Sequence, residues 1–472
     1  MHYKIFLCVL LFPVSLSAQN GELSLTLEQS ASLMNKGSHT LQMADKAIEI
    51  ARSERQKMNA FWYPSLNASG AYVHLSNNIE VKEPLKQFTD PAKDFVHSIV
   101  PDDKFISSIL DNIGAHTLTF PLLERNLTTI DANVMWPLFT GGKRIFATRI
   151  GNRMVDLAKA GREEAGATLQ SELVETYYAL RLAQRVVDVR EQTFLGLQKH
   201  YRNAMKLINK AERLFAQVTM DEARRELESA RKDLNVAQNA LKVLLNVEDA
   251  TSINPSSPLF MNHDLPDELY FKNLVSTGNY IVSKLRIQEV MADNQLKISK
   301  SAYIPTIALF GKQTLYADNL PKNLMPRTLI GVGFTWNIFD GLNREANIRQ
   351  ARLTKQTLQL GREKVQNELG VLVDKLYSEI QNAKDDVAAL NTTIEMSREL
   401  VRIRKKSFQE GMATSTDVID AETMLSKVQI AFLLAYYKYD VALASLLSTC
   451  GMPESFWQYS RTGQTENFIF GK

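Results

Sequence analysis

The chain has 472 residues, a near-balanced charge (55 Lys and Arg against 52 Asp and Glu) and two Cys. These values exclude an obvious polyanion binder, a disulfide scaffold and a Cys-rich zinc module, and nucleic acid is not an expected partner. Gly (21) and Pro (14) make up roughly 7% of the chain, against about 12% on average, so breakers are scarce and long elements are expected.

In chain order, Met1 to Lys4 is a short basic start and Ile5 to Leu16 an apolar run too short to span a bilayer as a mature helix. Small residues up to Ala18 make 1–18 a secretory signal. Cys8 lies inside the apolar run rather than after it, which argues against a lipoprotein. No later stretch of continuous apolar residues is long enough for a transmembrane helix.

Beyond the signal, the chain repeats itself. Trp136-Pro137-Leu138-Phe139-Thr140-Gly141 matches Trp336-Asn337-Ile338-Phe339-Asp340-Gly341 at an offset of 200. The seven-residue ladder Leu173, Leu180, Val187, Phe194, Tyr201 returns as Val373, Ile380, Val387, Ile394, Val401. Downstream the offset is 205, with Leu227, Leu234 and Leu241 on Phe432, Tyr439 and Leu446. Upstream it is 241, with Gly37 and Pro64 on Gly278 and Pro305. Residues 19–246 and 267–451 are therefore two copies of one unit, joined by a linker at 247–266 and followed by a tail at 452–472. The two joining segments lack helical periodicity.

Each copy reads as a helix (27–62 and 267–303), two extended segments (66–75 with 127–139; 306–316 with 328–339) and a helical hairpin. Heptads over five steps predict coiled-coil packing in that hairpin. Copy two carries about five extra residues, which leaves the first hairpin with the shorter turn. The extended segments are about the length of tilted membrane strands. Aromatics gather at one end of them: Trp62, Tyr63, Trp136, Tyr303, Trp336 and Phe339, as at a membrane interface. Four strands cannot close a barrel, and open edges are costly in lipid, so membrane strands here demand several copies. Residues 76–126, interrupted by Pro84, Pro91, Pro101 and Pro121, connect the first pair of strands and form either a lid or a surface shield.

The ordered set of Tyr63-Pro64-Ser65-Leu66, Trp336 to Gly341, Phe408-Gln409-Glu410-Gly411 and Asp417 to Glu422 resembles the TolC-type outer-membrane efflux proteins. The resemblance implies a mainly α fold with membrane β: a homotrimer whose twelve-stranded β-barrel continues into a periplasmic α-helical barrel. It implies an exit duct in the outer membrane of a Gram-negative bacterium, in contact with outer-membrane lipid. Its partners would be a periplasmic adaptor and, through it, an inner-membrane pump. By position, it places the periplasmic gate at Asp417 and Asp420 and adaptor docking at Gly411, Met412 and Thr414. A ring of such carboxylates would raise their pKa values and favour cations. Read alone, Thr414 to Thr416 are N-cap residues and Asp417 suits a helix start. Glu212 falls on Asp417 in copy one as a gate partner, or as an ordinary solvated residue, and Lys206 replaces Gly411. Lys210 and Arg213 are possible ion-pair partners of the acids.

The seven His are scattered, and HExxH, phosphate-loop and nucleophile-elbow patterns are missing, so neither an enzyme nor a cofactor or metal site is expected. The alternative reading is an exported coiled-coil scaffold or adhesin without a pore.

Overall fold

The computed structural model describes residues 22–76, 79–81, 86–99, 104–114, 120–123, 125–205, 210–247, 252–318 and 326–466. The signal at 1–18 and Lys206 lie outside them. The first copy runs β1 (Glu22–Leu25), α1 (Leu27–Gly37), α2 (His39–Ala60) and β2 (Ser65–His74). Its connection holds β3 (Ile79–Val81), α3 (Lys86–Ile99), α4 (Lys104–Gly114) and β4 (Phe120–Leu123); β5 (Asn126–Phe139), α5 (Lys143–Ala204) and α6 (Lys210–Leu245) follow. The linker adds β6 (Ser252–Pro255) and β7 (Phe260–Met261). The second copy runs α7 (Glu268–Gly278), α8 (Tyr280–Lys300), β8 (Thr306–Asp318), β9 (Thr328–Thr335), α9 (Asn343–Gln409) and α10 (Ser415–Thr449), and the tail carries α11 (Phe456–Thr462) and β10 (Gln464–Thr465).

Five expectations need correction. The helices before Pro64 and Pro305 are each broken in two, at Ser38 and Asn279, where the backbone is extended. The breaks lie at the repeat offset of 241, and each side chain caps the helix that follows: Ser38 Oγ accepts from Leu41 N at 3.3 Å, Asn279 Oδ1 from Ile281 N at 2.8 Å. The length difference of the hairpins lies inside a helix, 62 residues in α5 against 67 in α9, while both connections, 205–209 and 410–414, have the same length. The last strand stops at Thr335, short of Phe339. The connection at 76–126 is partly helical, with Pro91 inside α3. The tail at 452–472 is not free of helix.

The chain divides into two compact units. The first comprises 22–51, 155–290 and 356–466 of the described residues. Its core is a stack of heptad positions: Leu173, Leu180, Val373, Ile380, Phe432, Tyr439 and Leu446 are all buried. α10 is apolar and long enough to cross a membrane by composition alone, yet Leu433, Tyr436, Leu443 and Leu447 pack inward, so burial accounts for its character. The linker and tail close this unit. β6 pairs in parallel with β1, and β7 antiparallel with β10. Glu466, fully buried, accepts from Arg181 at 2.8 Å and Arg185 at 3.0 Å, which ties the tail to α5. Paired in this way, a buried carboxylate is tolerated.

The second unit, 52–154 and 291–355, contains an antiparallel sheet in the order β2-β5-β8-β9. The central pair, β5 with β8, joins the two copies, and β2 and β9 are left as edges. Cross-strand partners share a face of a sheet. One face collects Asn67, Asn133 and Lys312 in one row and Ser69, Asp131 and Thr314 in the next. Asp131 is held there by Lys312 at 2.8 Å and Thr314 at 2.7 Å, and Asn133 donates to Ser69 at 2.9 Å. The opposite face carries Leu66, Val134 and Ile330 in one row, Trp136, Leu309 and Val332 in another. Leu66, Ile330 and Val332 are exposed. Alternation of a polar and an uncovered apolar face is the pattern of a membrane barrel wall.

Candidate functional site

Two places combine exposed aromatic or charged groups with specific local geometry. The first is the junction where strands become helices, in the second unit. Trp136 Nε1 donates to the Trp62 carbonyl at 3.0 Å, and Trp336 Nε1 to the Tyr303 carbonyl at 3.1 Å. These pairs are equivalent by the offsets of 200 and 241. Arg144 lies over the Trp62 ring at 4.5 Å, and Arg344 over the Tyr303 ring at 4.4 Å. Arg144 donates to the carbonyls of Leu138 and Phe61; Arg344 donates to those of Ile338 at 2.9 Å and Asn337 at 2.8 Å. Both backbone N–H groups turn to residue i−4, Thr140 Oγ1 and Asp340 Oδ2. The duplication thus extends to individual hydrogen bonds. β9 ends at Thr335, opposite Thr306, the first residue of β8, its one partner strand among the described residues. Tyr63 and Phe339 are exposed beside these clamps. Arg144 and Arg344 escaped the sequence reading, although they sit at the offset of 200 directly after the matched Trp motifs.

The second place is the pair of hairpin tips, in the first unit. α9 ends in a Schellman cap: Met412 N donates to Ser407 O at 2.8 Å and Gly411 N to Phe408 O at 3.2 Å. Gly411 has φ +76°, a conformation that favours glycine. Met412 is exposed. Thr414 is the N-cap of α10 in a capping box: its hydroxyl accepts from Asp417 N, and Asp417 Oδ2 accepts from Thr414 N at 2.9 Å. Arg404 completes the set at 3.3 Å from Asp417 Oδ1.

The cation at Asp417 is therefore Arg404 of its own hairpin, in place of Lys210 or Arg213. The Thr414 N–H and hydroxyl, with Arg404 beyond them, hold the Asp417 carboxyl below the usual carboxylate range. Asp420, one turn on, is exposed.

Glu212 reaches the same helix start from the other hairpin: its Oε2 accepts from Ser415 N at 3.0 Å. Below it lies a small core of Leu197, Ala204, Ala216 and Ile419. His200, 5% exposed, lies edge-on to Phe408 at 4.7 Å, and its Nε2 has no hydrogen-bond partner among the described residues. Burial pushes its pKa down, with Lys405 adding to the effect and Glu212 opposing it. Lys405 pairs with the buried Glu422. Gly196 makes room for that carboxylate, since a Cβ there would lie 2.8 Å from Glu422 Oε1. His200, Arg404 and Glu422 were not singled out in sequence, because single charged residues on long helices look alike there.

The comparisons agree with this architecture. Residues 281–452 match the outer membrane efflux protein family. The outer membrane efflux protein BepC of Brucella suis biovar 1 is 24% identical over 291 residues, 59% of this chain and 62% of BepC. The alkaline protease secretion protein AprF of Pseudomonas aeruginosa is 24% identical over 247 residues, 51% of this chain and 49% of AprF. The chain thus spans less than two thirds of the length of these curated relatives. Among solved structures, the transmembrane channel CusC superposes with a TM-score of 0.70 at 17% identity, over 90% of this chain and 92% of CusC. In fold the chain is similar to solved outer-membrane channels.

Proposed function

We propose that three copies of this chain form the exit duct of an efflux or type I secretion system. In this reading β2 of one copy pairs with β9 of the next, which gives twelve strands and no open edge. The duct takes substrates from an inner-membrane pump through a periplasmic adaptor and performs no catalytic step. The observation that carries the reading is the four-stranded sheet itself, with two unpaired edges, one polar face and one exposed apolar face. A scaffold without a pore leaves those edges and that face unexplained. The relatives' names span efflux (BepC) and protein secretion (AprF), and the cargo of this chain is one of those two classes.

The gate in this reading is the acidic start of α10, Asp417 and Asp420, with Glu212 as the brace from the first hairpin. Threefold symmetry brings six Asp carboxylates toward one axis, an arrangement that favours cations. Gly411, Met412 and Thr414 present the tip to the adaptor. Trp62, Tyr63, Trp136, Tyr303, Trp336 and Phe339 mark the periplasmic membrane interface.

The test is the mass of the detergent-purified protein together with its conductance in planar bilayers. A trimer that inserts and conducts supports the duct. A monomer that stays soluble without detergent, or a trimer that never conducts, overturns it.

A further inference from the structure

The helix ends that adjoin the sheet carry a charge that the rest of the chain does not. Residues 143–154 contain Lys143, Arg144, Arg149 and Arg153 and no acid. Residues 343–355 contain Arg344, Arg349, Arg352 and Lys355 against Glu345 alone. The other two helix ends of the second unit, 52–60 and 291–300, add five bases and two acids. Thirteen bases therefore face three acids here, in a chain with 55 against 52 overall. The far ends of the same strands lack this excess: the connections 75–125 and 319–327 together hold eight acids and seven bases.

The few acids of the collar are occupied. Asp293 takes Lys297 and Lys355, each at 2.7 Å; Glu54 takes Lys57; Glu345 accepts from Tyr303. Arg144 and Arg344 are committed to strand carbonyls and aromatic rings. Lys143, Arg149, Lys300, Arg349 and Arg352 are exposed. Arg149 lies over the Phe146 ring at 5.6 Å, a position that keeps its charge outward. The collar continues directly into the row of Trp62, Tyr63, Trp136, Tyr303 and Trp336.

We propose that this collar binds the anionic phospholipid headgroups of the leaflet at the helical end of the barrel, and so fixes the depth of the duct in the membrane. The proposal rests on the membrane reading given above. Lys and Arg clusters next to a membrane-embedded segment attract anionic lipid within about a Debye length. An acidic protein partner would satisfy the charges but not the adjoining aromatic row, which suits the interface between headgroups and acyl chains. The near-neutral far side matches the proposal, because the basic excess is confined to the helical end.

The test uses the full chain, reconstituted with phosphatidylglycerol and phosphatidylcholine, with lipid retention on the purified oligomer read by native mass spectrometry. Phosphatidylglycerol is expected to be preferred about tenfold at low salt, with the preference falling as salt rises. The Arg149→Gln/Lys300→Gln/Arg349→Gln/Arg352→Gln variant should lose most of that preference with its oligomer mass and helix content unchanged. Lys86→Gln/Lys104→Gln, at the far side, should keep it. Equal retention of both lipids by the wild type, or an unchanged preference in the quadruple variant, overturns the proposal. An unchanged lipid preference with a shifted anion-to-cation permeability ratio also overturns it, and puts the collar charges in the duct. Failure of the wild type to insert into either lipid sinks the membrane reading itself, and the collar with it.

Discussion

The strand–helix junctions and the hairpin tips are both duplicated, and among the described residues the matched bonds lie at the junctions. At the junctions the same indole-to-carbonyl bond, the same stacked arginine and the same bond from that arginine to the carbonyl of residue 138 or 338 occur twice. At the tips a capping box in the second hairpin answers to a single acid, Glu212, in the first. A junction does one physical job in both copies: it turns a strand into a helix where backbone groups leave the sheet and need new partners. The tips have unequal jobs. The second starts a helix and gathers acids, and the first braces it. Among the described residues, symmetry is kept where backbone groups leave the sheet.

The comparison can be broken at the junction first, where the largest effects are expected. Arg344→Ala removes two charge-assisted hydrogen bonds at a buried position and should cost about 2–4 kcal/mol, read as a lower thermal unfolding midpoint in detergent. Arg344→Lys should recover little, since a lysine has no fork to span two carbonyls. Arg144→Ala, at a more open site, should cost about half as much. No cost at either arginine would mean that the matched geometry carries no stability.

At the tips the effects are smaller. Thr414→Val should cost about 1 kcal/mol, concentrated in the first turn of α10, with faster hydrogen exchange at Asp417 N. Glu212→Ala should cost about 0.5–1.5 kcal/mol and speed exchange at Ser415 N while the far ends of both hairpins stay protected. A uniform loss of protection would show that Glu212 stabilises the whole bundle and not the tip.

His200 gives a pH test. Its folded-state pKa is lowered, so the unfolded chain binds the proton more readily. Its contribution is therefore complete above the ordinary histidine value of about 6.5 and is lost as pH falls from there through the lowered folded value. Exchange over 194–204 should rise in that window, and His200→Gln should flatten the profile. Asp417, also lowered, acts further down: the cap is intact above the ordinary carboxylate value of about 4 and is lost as pH falls through the lower folded value.

Much of this architecture is legible in the sequence, because repetition and periodicity are properties of many residues at once. The offsets locate both copies, and heptad positions such as Leu173, Val373 and Tyr439 are buried as their spacing demands. The breaks at Ser38 and Asn279 were missed because hydrophobic spacing runs on through a single extended residue; the preceding Gly37 and Gly278 mark them once the caps are seen. Arg144 and Arg344 were hidden for another reason. An arginine at a helix start reads as solvated until the carbonyls it serves are known. At the tips the sequence brings out Asp417 and Asp420 by family position, while the bond from Glu212 to Ser415 spans 203 residues and has no local signal.

The most direct test of the gate is single-channel conductance of the wild type against Asp417→Ala/Asp420→Ala. Small, cation-selective events are expected in the wild type, and larger events or weakened cation selectivity in the double variant. Wild-type and variant channels of equal conductance and selectivity would contradict the placement of the gate at the second tip.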